Sequence, residues 1–157
     1  MIVNQKQLYK CIDEILKPNG FIRKKDTWYL HTTECICFII FAKSPYAGRY
    51  GELMGVFLKE INNEGDFPSY EKAHLKYNIK WLMDSEKVKQ ILNLENNEFK
   101  DNERENAIRN ILENYAIPFI RKLSTKQGII NAISEYDDLV YYARLSLKEK
   151  LDISDKG

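Results

Sequence analysis

Glycine and proline are scarce in this chain, 7 and 4 of 157 residues, and they never gather into a flexible tract. No Gly- or Ser-rich linker, internal repeat or low-complexity segment divides the sequence, and its length suits one domain. Residues 1–157 are therefore expected to form a single domain. The one close glycine pair, Gly48 and Gly51, falls between two strand-like stretches. P-loop and dinucleotide fingerprints instead need clustered glycines between a strand and a helix. A Gly-x-Ser-x-Gly elbow and a His-Glu-x-x-His helix are also missing, which removes the familiar hydrolase and metalloprotease signatures.

Cysteine is equally sparse. Cys11, Cys35 and Cys37 are an odd set without paired zinc-finger spacing, so reduced thiols are expected rather than a disulfide framework. No apolar run approaches the ~20 residues of a membrane span. The polar stretch 1–10 has no apolar core of a signal peptide, so a soluble cytoplasmic protein is expected. The net charge is only +1, whereas a protein built to hold a phosphate backbone carries a strong basic excess. The asymmetry that exists is local: Lys6, Lys10, Lys17, Arg23, Lys24, Lys25, Lys43 and Arg49 outnumber the acids of the first fifty residues.

What is present is periodicity. Leu8, Ile12, Ile15 and Leu16 recur at helical spacing over 5–17, Asn4 is placed to cap, and Pro18-Asn19-Gly20 stops the helix. Strands follow at 21–24 and 27–33 around a Lys25-Asp26 turn. The stretch 34–42 is apolar on both faces and reads as a central strand, and 51–60 reads as another. From Ala73 to Met83, apolar and polar residues alternate, which predicts a long strand with one wet face. The period then turns helical over 86–92 and 97–115, Pro118 re-directs the chain, Ser124 caps a helix to Glu135, and Asp137 or Asp138 caps a last helix over 139–151. Strands in one block favour an antiparallel sheet. The expected class is α+β: an N-terminal helix, a sheet of about five strands, and C-terminal helices packed on it.

Among residues with chemical potential, Cys35, Cys37, His31 and His74 form the natural test set for a metal or a nucleophile. Both cysteines sit in an intensely apolar strand, where a thiol behaves as a small hydrophobe, so a structural role is the expected one. The carboxylates near 95–105 fall at a helix start, where they complement the dipole. No catalytic residue, metal or cofactor is assigned. The loop after the central strand carries Lys43, Tyr46, Arg49 and Tyr50, side chains enriched where one protein grips another. With Arg23 from the basic turn, these are the candidate binding residues. The simpler alternative is a connecting loop whose tyrosines fold back onto the sheet.

The motif Leu16-Lys17-Pro18-x-Gly20-Phe21, followed by Lys25-x-Thr27-Trp28-Tyr29, resembles the opening of a bacterial family of domains of unknown function. Lys43-Ser44, Gly55-Val56 and Tyr115-Ala116-Ile117-Pro118-Phe119 resemble its later landmarks, so the resemblance spans about 5–125; Ala42 departs from a polar residue expected there. The resemblance implies an α+β fold and brings no activity, catalytic residue or cofactor.

The leading functional expectation is a non-catalytic protein–protein interaction module, in its concrete form an immunity-type protein whose acidic stretch Glu64-Gly65-Asp66 and Glu71 meets a basic toxin. The alternative is an enzyme with a small-molecule site on the sheet, using tyrosine, His74 and lysine side chains. Nucleic acid is a weaker expectation, because it needs more positive charge and an aromatic platform on the same face. Oligomer formation through the 73–83 strand is also open.

Overall fold

The computed structural model describes residues 2–45, 48–100 and 102–154. Helix α1, Gln5–Leu16, starts where the Asn4 side chain accepts the Gln7 N–H. A 3₁₀ turn, Lys17–Asn19, ends it, and Gly20 takes φ 94°, a left-handed conformation that a Cβ would strain. The chain then runs through β1, Ile22–Lys24; β2, Thr27–His31; β3, Cys35–Lys43; β4, Tyr50–Leu58; and β5, Leu75–Tyr77. The five strands pair antiparallel in sequence order, β1-β2-β3-β4-β5. Fold class and architecture are those expected from the sequence.

Register decides which side chains share a face. Trp28 opposes Ile39, Ile39 opposes Met54, and Met54 opposes Tyr77. This face, with Cys35, Cys37, Phe41, Val56, Leu58 and Leu75, forms the main core with the helices. Asp13 of α1 accepts the Trp28 indole N–H at 2.9 Å and so ties the first helix to the sheet. The other face carries Tyr29, Ile36, Phe38, Ile40 and Phe57, which close with Ala73 into a smaller core. The segment 59–74 crosses this second face, and the Pro68 carbonyl accepts the Tyr29 hydroxyl at 2.8 Å. Gly55 lets the Phe38 ring lie against β4: a Cβ there would come within 2.4 Å of the Leu75 carbonyl and 2.6 Å of that ring.

The helices are α2, Ser85–Ile91; α3, Glu103–Ile111; α4, Ile117–Lys122; α5, Lys126–Glu135; and α6, Leu145–Leu151. Four expectations are corrected here. The long strand over 73–83 is only Leu75–Tyr77, because a 3₁₀ turn, Ile79–Trp81, begins directly after Asn78. Pro118 does not re-direct the chain. A π-turn, Leu112–Ala116, joins α3 to α4, with the Ile117 N–H on the Leu112 carbonyl. The wider turn accommodates a proline that has no N–H to give and would clash with the carbonyl four residues back. The cap of α5 is Thr125, which accepts the Gly128 N–H, rather than Ser124. The last predicted helix is likewise a 3₁₀ turn, Leu139–Tyr142, followed by the short α6. Among the described residues no helix is long and apolar enough to cross a membrane.

Candidate functional site

The sheet separates the cysteine–histidine set. Cys35 and Cys37 face the helices and are buried, and burial raises the Cys35 thiol to about 12 and the Cys37 thiol further. His31 pairs with Ile36 on the opposite face, where its Nε2 lies 2.6 Å from the Asp66 carbonyl. His74 packs edge-on against Phe57, and its Nδ1 accepts the Leu58 N–H at 2.8 Å. Burial, then the charge of Arg144, lowers the His74 pKa, so it serves as a neutral acceptor. Among the described residues no three His, Cys, Asp or Glu side chains converge as a metal site.

The loop candidates are dispersed by the fold. Tyr50 opposes Lys43 in the ladder, but its ring is buried edge-on to Tyr9 at 6.3 Å. Lys43 is exposed at the end of β3. Arg49 is exposed and bridges to Asn93 through the backbone, which zips this corner to the end of α2. Tyr46 lies outside the described residues. Arg23 binds Asp13 at 3.2 Å and lies over the Tyr9 and Trp28 rings. Lys24, one residue on, projects from the other face over Phe67. The basic turn therefore does not form one patch: strand alternation splits it.

An exposed aromatic assembly lies elsewhere, at the end of the 73–83 run that the sequence offered only as an oligomer surface. Tyr77 of β5 stacks on Phe119 of α4 at 5.2 Å and meets Trp81 edge-on at 4.9 Å. Its hydroxyl donates to Asp138 at 3.1 Å; burial, then the Asp138 charge, pushes the phenol up to about 12. Trp81 stacks on Tyr142 at 4.6 Å with 23° between the rings. Phe119 meets Tyr136 at 5.4 Å, and Lys122 holds Tyr136 from above at 5.3 Å. Five rings from four segments are thus in continuous contact.

The inner rings are core, and the outer ones are open. Trp81 is 47% exposed, Tyr142 40% and nearby Leu145 67%. Trp81 points outward because the strand ends early. The Asn78 side chain accepts the Lys80 N–H at 3.0 Å, and Glu52 on the neighbouring strand takes the Ile79 N–H. The chain therefore coils just before the tryptophan. Fixed rings with polar tips offer contact area at small entropic cost. Two signals in the sequence could have located it: a cap-forming asparagine inside the alternating run, and the tyrosines bunched at 136, 141 and 142.

In comparisons with known proteins, no curated protein and no solved structure matched the chain. The family profile of DUF4304, a domain of unknown function, matches residues 12–122. That span holds the whole sheet, α2 to α4, Trp81 and Phe119, while Tyr136 and Tyr142 follow it. With most of its length inside the profile, the chain belongs to the DUF4304 family.

Proposed function

We propose that this protein is a non-catalytic, single-domain protein–protein interaction module that grips its partner through Trp81, Tyr142 and Leu145. The observation that carries the reading is the Trp81–Tyr142 stack, locked from beneath by Tyr77 and open to solvent above. Exposed tryptophan and tyrosine on a rigid base are the side chains most often found at interaction hot spots. Lys43 and Arg49, exposed at another corner, are candidates for a second contact. Tyr50 and Arg23 are assigned to packing.

The concrete form is an immunity-type protein acting in the cytoplasm, where its free thiols stay reduced. Glu64, Asp66 and Glu71 are exposed and would steer a basic toxin toward it. Discovery of a toxin gene beside its own would support that form, and an isolated gene would count against it.

The test is capture from the source lysate by wild-type protein, a Trp81→Ala/Tyr142→Ala variant and a Lys43→Ala/Arg49→Ala variant, all shown folded by circular dichroism. A stoichiometric protein held by wild type and lost from the aromatic variant is expected. Capture by no form, or equally by all three, overturns the reading.

A further inference from the structure

A cleft of about 520 Å³ opens on the sheet face away from the helices, between the β1–β2 turn and the segment 67–70. That volume lies within the ~300–1,000 Å³ usual for small-molecule sites. Ile40 and Tyr29 line its interior, Phe67 and Tyr70 present exposed rings, and Lys24 and Lys25 stand at its rim. We propose that this cleft binds a small planar ring carrying an anionic group. This goes beyond the interaction reading and concerns a different surface.

Three observations carry it. The first is the pairing of aromatic and cationic groups: Phe67 packs edge-on to Tyr29 at 5.3 Å, and the Lys24 ammonium lies 4.6 Å from the Phe67 ring centre. A flat ring finds apolar and aromatic surface there, and its anion finds ammonium groups. The second is the freedom of the charge. Lys24 and Lys25 form no ion pair among the described residues, whereas Arg23 is held by Asp13. Asp26, the one carboxylate among the described residues that line the cleft, accepts the Thr27 hydroxyl at 3.1 Å.

The third is backbone strain. Lys25 takes φ 59°, in the left-handed region, at a two-residue hairpin turn where glycine, asparagine or aspartate is the usual occupant. The chain keeps a lysine where glycine would be easier, and strained residues concentrate at functional sites. The side chain that benefits is an ammonium at the mouth of the cleft. Asp26 and the nearby acids Asp66 and Glu71 make the surroundings unsuited to a long polyanion, so the ligand is a small molecule rather than a nucleic-acid strand.

The probe is adenosine 5′-monophosphate, titrated by calorimetry and by NMR shift mapping, with adenosine and inorganic phosphate as separate arms. Saturable binding of the monophosphate is expected, at least about tenfold tighter than either fragment, with shifts at Thr27, Tyr29 and Tyr70. Lys25→Gly is expected to weaken it about tenfold while raising the urea midpoint of unfolding, two changes of opposite sign that lost folding cannot mimic. Asp26→Asn is expected to tighten it, and Phe67→Ala to abolish the advantage over phosphate. Absence of saturable binding at millimolar monophosphate overturns the proposal. So does binding that phosphate alone reproduces and Phe67→Ala leaves unchanged, since that identifies a simple anion site.

Discussion

Both carboxylate oxygens of Glu52 accept the backbone N–H of Ile79, at 2.9 and 3.0 Å, in a position almost closed to solvent. Burial raises the carboxyl from 4.5 to about 7, against the opposing pull of the Ile79 N–H and the Lys80 charge. Between those values the folded chain keeps a proton that the unfolded chain has released. The contribution to stability is therefore complete below about 4.5 and is lost as pH rises through about 7.

Urea unfolding across pH 4.5–8 should show this decline, on the order of 3 kcal/mol if Glu52 acted alone. Glu52→Gln, which retains an acceptor for Ile79, should flatten the slope and exceed wild type at the alkaline end. Glu52→Leu leaves that N–H without a partner and should cost about 1–3 kcal/mol. A slope unchanged in the glutamine variant would refute the assignment.

The two tryptophans should report opposite environments. Trp28 is fully buried, and Trp81 stands at the surface. With Trp81→Phe, the remaining indole should emit at short wavelength and resist acrylamide. With Trp28→Phe, it should emit further to the red and be quenched readily. Trp28→Ala should cost roughly 3–5 kcal/mol, whereas Trp81→Ala should cost about 1 kcal/mol or less. Similar quenching of both single-tryptophan forms would contradict the outward-facing patch.

Arg104 of α3 is a buried cation that, among the described residues, has backbone carbonyls rather than a carboxylate as its hydrogen-bond acceptors. Its guanidinium donates to the carbonyls of Ile91, of Asn93 at 3.0 Å and of Asn96 at 2.7 Å, and it lies 4.7 Å over the Phe99 ring. The fork thus finishes the C-terminal end of α2 and shapes the turn that follows. A lysine cannot span those directions at once. Arg104→Lys should destabilise by about 2 kcal/mol, and hydrogen exchange should speed at Tyr50, whose N–H rests on the Leu92 carbonyl at 3.1 Å. Unaltered protection at Tyr50 would show that the capping is dispensable.

Much of the framework was legible in the residue pattern, for reasons the structure makes plain. Leu8, Ile12, Ile15 and Leu16 face the core because helical spacing leaves them no other face, and Pro18 with Gly20 ends the helix where backbone chemistry requires. The doubly apolar β3 is covered on both sides. The 73–83 run misled because alternation reports burial side and not hydrogen bonding. Ala73, Leu75, Tyr77 and Ile79 are all buried, yet the ladder stops at Tyr77, and the Glu52 carboxylate of β4 takes the Ile79 N–H two residues on. Glu52 itself was within reach, since it extends the inward set Met54, Val56 and Leu58 by one step. The surroundings of individual side chains were not legible because they depend on contacts remote in sequence: Tyr50 on Tyr9, Arg23 on Asp13, and Trp81 on Tyr142.

The order of the strands carries a kinetic consequence. Every strand pairs only with its neighbour in the chain, so the sheet assembles hairpin by hairpin without waiting for distant segments to meet. Such local connectivity favours fast folding among sheet-containing proteins. The closures that span long stretches, α1 against α3 and Arg144 onto the His74 carbonyl, carry the larger loop-closure cost. The Trp81–Tyr142 stack depends on such a distant closure, so the aromatic surface is built from segments the sheet alone does not bring together.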